Sequence, residues 1–181
     1  MLYLALVLLF AVAFSIACSS GGDAEGNSKP RVPPTPADVA KIRSVDLSKA
    51  NDVQNMLRQL GSGTLAARET LYVDVTGDQR EEAFVPISSG GTLGNLAYLG
   101  FTLKGDTPTL ILTRTLDRSN AGGLRLLFED GKLVEYSGEY GPQDPNCCPS
   151  VLRKTYFRWD GRKLQVEKEE KVPNPSGQKK E

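Results

Sequence analysis

Asp74, Thr76 and Asp78 place oxygen-bearing side chains at alternate positions, and Glu82 adds a carboxylate four residues on. That spacing can wrap a hard cation such as calcium, the logic of calcium-binding loops. Thr76 stands where such loops carry Asp or Asn, Gln79 where a glycine makes the sharp turn, and Arg80 brings a positive charge close by. A second reading makes the same segment a polar β-turn in which Asp74 and Asp78 accept turn amides, and this is the favoured one. Calcium is the only cofactor the sequence suggests, and it rests on this segment alone.

Cys147 and Cys148 are adjacent in a loop rich in Gly, Pro and Asp that runs from Gly138 to Ser150. In an exported protein thiols tend to be oxidised, and adjacent cysteines close only a strained ring. A strained disulfide is easily reduced, which makes a redox role one reading. The other is a vicinal disulfide, or two buried thiols, that stiffens the loop. Two adjacent thiolates without a histidine do not supply the four ligands of a structural zinc site. The Gly-rich stretch Ile87 to Leu96 lacks the Gly-Lys-Ser/Thr of a phosphate loop. Ser88 and Ser89 lack a histidine base, so a surface loop beside a binding face is expected there. Tyr136, Tyr140, Tyr156 and Trp159 would form an aromatic platform for a glycan or peptide if their strands share a face.

Composition narrows the chemistry further. The chain holds 22 Lys+Arg, 22 Asp+Glu and no His. Histidine-dependent catalysis, histidine-ligated metal and a histidine pH switch are excluded. Zero net charge gives no electrostatic argument for nucleic acid.

The ends set the address. Residues 1–17 are uncharged and apolar, as in a signal-peptide core, and short for a membrane-spanning helix, which needs roughly 20 residues. Ser15-Ile16-Ala17-Cys18 resembles a bacterial lipobox, with Ser15 where Leu is usual. Cys18 is then the lipidated residue, carrying a diacylglycerol thioether and acyl chains such as palmitate. Residues 18–38 are rich in Ser, Gly and Pro and read as a flexible tether. A single β-rich domain is expected over residues 39–171 and a polar, disordered tail over 172–181.

The elements that must position the candidate residues follow from periodicity. Val53, Met56, Leu57 and Leu60 fall on one helical face, with Ser48 or Asn51 to cap the start and Gly61 to end it. Ala66 to Thr70 reads as a further turn. Eight strand-like segments follow: Leu71–Val75, Ala83–Ile87, Ala97–Leu103, Thr109–Thr115, Leu124–Glu129, Leu133–Tyr140, Val151–Trp159 and Lys163–Glu169. Asp130-Gly131 and Asp160-Gly161 are hairpin signals, and Gly105-Asp106 marks a third turn. The expected fold is α+β: a short N-terminal helical part packed on a mainly antiparallel meander, curled towards a barrel.

From Asp74 onward the order of features is familiar. An Asp-x-Thr-Gly-Asp-x-x-x-Glu-Ala turn precedes a strand, and an Asn-Cys-Cys-Pro-Ser element leads into an aromatic strand with Asp-Gly. Over Leu71 to Val166 this resembles bacterial envelope lipoproteins of the LppP/LprE type, a family without an assigned activity. The resemblance implies location and fold and carries no catalytic residues. The Asp74–Glu82 segment also resembles, more weakly, the calcium loops of integrin-type repeats. The expected role is a non-enzymatic, lipid-anchored binding module of the cell envelope, facing the periplasm or exterior. Its partners would be the membrane through the lipid and an envelope protein or glycan, with no nucleic acid. A calcium-stabilised module and a redox protein are the alternatives.

Overall fold

The computed structural model describes residues 33–117, 122–145 and 148–176. It opens with α1 (Pro36–Val39), one helical turn closed by a capping box: Thr35 Oγ1 accepts the Asp38 N–H, and the Asp38 carboxylate accepts the Thr35 N–H. Two 3₁₀ turns, Lys41–Ser44 and Leu47–Lys49, lead to α2 (Asn51–Leu60). The helix starts later than a Ser48 cap would allow. Asp46 instead accepts the Ser48 N–H and holds that stretch in a 3₁₀ turn. Gly61 ends α2 in the left-handed region at φ 65°.

The strands are β1 (Thr64–Leu65), β2 (Leu71–Val73), β3 (Glu82–Ser88), β4 (Asn95–Lys104), β5 (Thr107–Thr115), β6 (Leu124–Glu129), β7 (Lys132–Glu139), β8 (Val151–Trp159) and β9 (Leu164–Pro173). The pairings described are all antiparallel. A 3₁₀ turn, Ala67–Glu69, fills the gap between β1 and β2, where the sequence suggested a turn. β3 lies between β4 on one side and β1 and β2 on the other. Pro86, inside β3, is tolerated because of that gap. Its carbonyl accepts the Ala66 N–H. The backbone nitrogen of a strand residue points the same way as its carbonyl, so no ladder donor is missed towards β4.

Alternation along β3 explains the layers. Ala83, Val85 and Ile87 join Ala97, Leu99 and Phe101 of β4 against Ile42, Leu47, Val53 and Met56 of the helical segment. Phe84 and Tyr98 point the other way, into a second cluster with Ile111, Leu112, Leu133 and Phe157. The first half-sheet is therefore buried on both faces, under the helices on one side and under the β6–β9 meander on the other. Each fully buried large apolar side chain contributes roughly 1.5–3 kcal/mol.

The expected single meander is two. β3–β4–β5 and β6–β7–β8–β9 each run hairpin to hairpin, but β6 joins β4 through the one pair Asn95↔Leu124, not β5. This narrow junction lets the sheet fold over on itself. It depends on close backbone approach, since a Cβ on Gly123 would lie 2.7 Å from the Leu93 carbonyl oxygen and 2.9 Å from the Asn95 nitrogen. The sheet does not close into a barrel: β5 pairs with β4 alone and β9 with β8 alone. The architecture is mostly antiparallel β with a minor helical part. Among the described residues no helix is long and apolar enough to cross a membrane.

Candidate functional site

The Asp74–Glu82 segment is a polar loop between β2 and β3 whose oxygens are spent on its own amides. Asp74 Oδ1 accepts the Gly77 N–H at 2.7 Å and Oδ2 the Gln79 N–H at 2.8 Å. Asp78 Oδ1 accepts the Arg80 N–H at 2.9 Å. Gly77 and Gln79 both sit at positive φ, 75° and 66°, a path that the Asp74 carboxylate holds. Thr76 is not turned outward either. Its N–H and hydroxyl both reach the Glu82 carboxylate. Among the described residues no group of three or more Cys, Asp or Glu is placed to hold a metal ion.

Glu82 lies beneath that loop and is fully buried at 0% exposure. Its Oε2 accepts the Val75 N–H at 2.8 Å and the Thr76 N–H at 3.3 Å; its Oε1 accepts the Thr102 hydroxyl at 3.0 Å. One carboxylate thus ties the loop to β4. Burial pushes its pKa up to about 7, and the negative charges of Asp78 and Asp74 add to this. The hydrogen bonds from Val75 and Thr102 pull the other way.

The Gly-rich segment connects β3 and β4. Ser88 Oγ accepts the Gly90 N–H and Ser89 Oγ accepts the Gly91 N–H, so both hydroxyls shape the turn. The Ser89 N–H donates to the Gly94 carbonyl. Neither serine has a base beside it among these contacts.

In the loop after β7, Asp144 Oδ2 accepts the Gly141 N–H at 2.7 Å, the Ser150 N–H at 2.8 Å and the Ser150 hydroxyl at 3.0 Å. Those bonds, chiefly from Ser150 and then Gly141, hold the carboxyl below the usual carboxylate range. Asn174, just past β9, clamps the far side by donating to the Pro149 carbonyl. The Cys148 N–H donates to the Pro145 carbonyl. Cys147 lies outside the described residues, so the expected Cys147–Cys148 bond falls outside them too. Cys18 and residues 1–32 also lie outside; the last residues of the expected tether, Thr35 to Asp38, instead form the capped start of α1, and β9 runs to Pro173, two residues into the expected tail.

Of the four aromatics, two share a face. On the outer side of the β6–β9 half-sheet, register aligns Arg125, Tyr136, Lys154 and Glu170 in one row, and Leu127, Val134, Tyr156 and Lys168 in the next. Arg125 and Lys154 flank the Tyr136 ring at 5.3 and 5.4 Å from its centroid; Lys154 and Lys168 lie 5.0 and 5.4 Å from that of Tyr156. The Tyr136 hydroxyl donates to Glu129 at 2.8 Å and the Tyr156 hydroxyl to Glu170 at 2.6 Å. Lys154 bonds the hydroxyl oxygens of Tyr156 and Tyr136 and then Glu129, which together keep its ammonium well above the usual lysine range. Two open grooves flank this ladder. One, of about 640 Å³, runs past Lys132, Lys154, Tyr156 and Lys168. The other, of about 380 Å³, runs past Arg125, Tyr136, Leu152 and Pro175. Trp159 does not join the platform, because it packs against the inner cluster. Tyr140 stands at the end of β7, its hydroxyl oxygen 3.1 Å from where a Gly122 Cβ would be.

Sequence reasoning missed the inner face of the same half-sheet. Glu135, 1% exposed, accepts two bonds from Arg114 of β5, at 2.8 and 2.7 Å. The Arg114 guanidinium also sits 5.4 Å over the Phe157 ring. The signal was present: Leu133, Glu135 and Ser137 alternate on an inward face, and a charged residue at an inward position requires a partner.

Compared with protein-family models, with curated proteins and with solved structures, the chain matches none. What its surface offers is hydrogen bonding, cation–aromatic contact and shallow grooves. Acid–base or nucleophilic pairs do not assemble among the described residues singled out by sequence.

Proposed function

We propose that this chain is a lipid-anchored protein of the bacterial cell envelope, held by Cys18, whose β-rich domain is a non-catalytic binding module for a protein or glycan partner. The apolar leader, Cys18 and the Ser/Gly/Pro tether support the anchor. The likeness to LppP/LprE-type lipoproteins supports the location. In the same reading Cys147 and Cys148 close a vicinal disulfide that stiffens the rim of the module.

The observation that carries the binding role is the outer face of the β6–β9 half-sheet. There Tyr136, Lys154 and Tyr156 form an ordered ladder between two grooves. Its cations and carboxylates are fixed before any ligand arrives, so little side-chain entropy is lost on binding. The serines and carboxylates of the candidate chemical segments meanwhile serve turns.

The anchor and the binding module are tested separately. Expressed as the full chain in a bacterium, the protein fractionates with membranes, and Cys18→Ser releases it. Retention of the variant on the membrane overturns the anchor. Cosedimentation with purified cell-wall glycan, and capture of envelope proteins on the immobilised chain, are both measured with Tyr136→Ala and Tyr156→Ala beside the wild type. Binding lost in the variants supports the module. Turnover of a substrate by the purified chain, abolished by a serine or cysteine replacement, overturns it.

A further inference from the structure

The sheet leaves a second surface that the outer face does not use. β5 and β9 are both edge strands, and the space between them is an open groove of about 410 Å³. The two edges differ in character. β9 carries five successive charges, Glu167 to Lys171, the usual guard against pairing with another chain. β5 reads Thr-Pro-Thr-Leu-Ile-Leu-Thr-Arg-Thr, with Arg114 its only charge.

The groove floor is apolar and runs out to solvent. Register places Phe128, Leu133, Phe157 and Val166 in one row on the inner face. Leu133 and Phe157 are buried, but Val166 at the groove lip is 49% exposed and Phe128 at the other end 39%. The charged residues lining the groove, Arg114 and Lys163, are both cations. Arg114 is neutralised from behind by Glu135. Lys163 is exposed and makes no ion pair among the described residues, so it is the cation left for a ligand.

We propose that this groove docks an extended segment of a partner protein, added as a strand along β5. Alternate apolar side chains of the segment lie over Phe157 and Val166, and a carboxylate meets Lys163. A row of unpaired backbone donors and acceptors is matched best by another strand, and the surplus cation selects an acidic one. The β-bulge opposite Gly100 kinks β5 at Ile111 and interrupts a regular ladder there. Pairing is therefore regular over Leu112–Thr115, and side-chain burial supplies much of the affinity.

The probe is an end-blocked nine-residue peptide of alternating Thr and Val with Glu at its centre, together with its Lys counterpart. Both are titrated into the full chain in detergent and read by fluorescence anisotropy and amide NMR. The Glu probe binds saturably and shifts the amides of Leu110–Thr115. Lys163→Glu, on an exposed side chain, weakens it about tenfold or more and confers binding of the Lys probe, while Val166→Ser weakens both. Tyr136→Ala and Tyr156→Ala leave the titration unchanged, which separates this groove from the outer face. Absence of saturable binding, equal binding of the two probes, or indifference to Lys163→Glu overturns the proposal. A dimer by light scattering that excludes the probe also overturns it, assigning the groove to a second copy of the chain.

Discussion

Glu82→Gln isolates the buried carboxyl under the Asp74–Arg80 loop. In the folded chain this group holds its proton up to about pH 7, against an ordinary value of 4.5. Between those two pH values the native state binds more protons than the unfolded chain, so stability falls as pH rises from about 4.5 to about 7, then levels. At ~1.36 kcal/mol per pH unit the full loss is on the order of 3 kcal/mol. For a chain of this size that corresponds to a fall in Tm of about 6–12 °C. Glutamine fits the site without rebuilding it. Its oxygen replaces Oε2 as acceptor for the Val75 and Thr76 N–H groups, and its amide NH₂ replaces Oε1 and donates to the Thr76 and Thr102 hydroxyl oxygens. The variant cannot ionise, so its Tm should be flat from pH 5 to pH 8 and exceed that of the wild type at pH 8. The assay is a thermal melt of both proteins across that range at fixed ionic strength. Parallel curves for the two would refute the argument, because the slope would then belong to other groups. Carboxyls held low, such as Asp144 and Glu81, act in the opposite direction and only in acid. Their contribution is present above the unfolded pKa and is lost as pH falls through the lower folded value.

Further expectations follow from single contacts. Arg114→Ala strands the Glu135 carboxylate and should cost about 3–5 kcal/mol in urea unfolding, whereas replacing both by Met should recover most of it; equal losses in the single and double variants would contradict this. Gly100→Ala puts a Cβ 2.7 Å from Phe84 Cε1 and 2.9 Å from Leu112 Cβ, and the overpacking should lower stability by about 1–3 kcal/mol, read from the melt. Asp144→Ala removes three hydrogen bonds from one loop, so limited proteolysis between Gly141 and Ser150 should quicken well before the global melt; unchanged cleavage would show that the loop is held by other contacts. Calcium against chelator should leave Tm unmoved, since Asp74 and Asp78 already bind loop amides; a clear rise with calcium would return the segment to a cation site.

Local features were legible in the sequence because local chemistry decides them. The α2 stripe of Val53, Met56, Leu57 and Leu60 needed a face to bury, and Gly61 supplied the left-handed stop. Asp130-Gly131 makes a hairpin because both residues take positive φ, 49° and 77°. The strands came out within a few residues of their expected bounds for the same reason, although the two-residue β1 is too short to carry a period. The turn reading of Asp74 and Asp78 also follows from local preference, since the N–H groups that donate to them, those of Gly77, Gln79 and Arg80, lie within five residues.

What the sequence could not decide is what depends on distant partners. Nothing near Glu82 marks it as buried, because the groups that enclose it come from the preceding loop and from Thr102 on β4. Arg114 and Glu135 are 21 residues apart, and only the folding of one half-sheet over the other brings them together. Tyr136 and Tyr156 share a face through the β7–β8 register, whereas Trp159, three residues beyond Tyr156, falls on the inner side by the alternation of the strand. The open edge of β5 has the same origin. The single pair between Asn95 and Leu124 turns the second meander across the first, so the strands that would have closed a barrel stand apart with a groove between them.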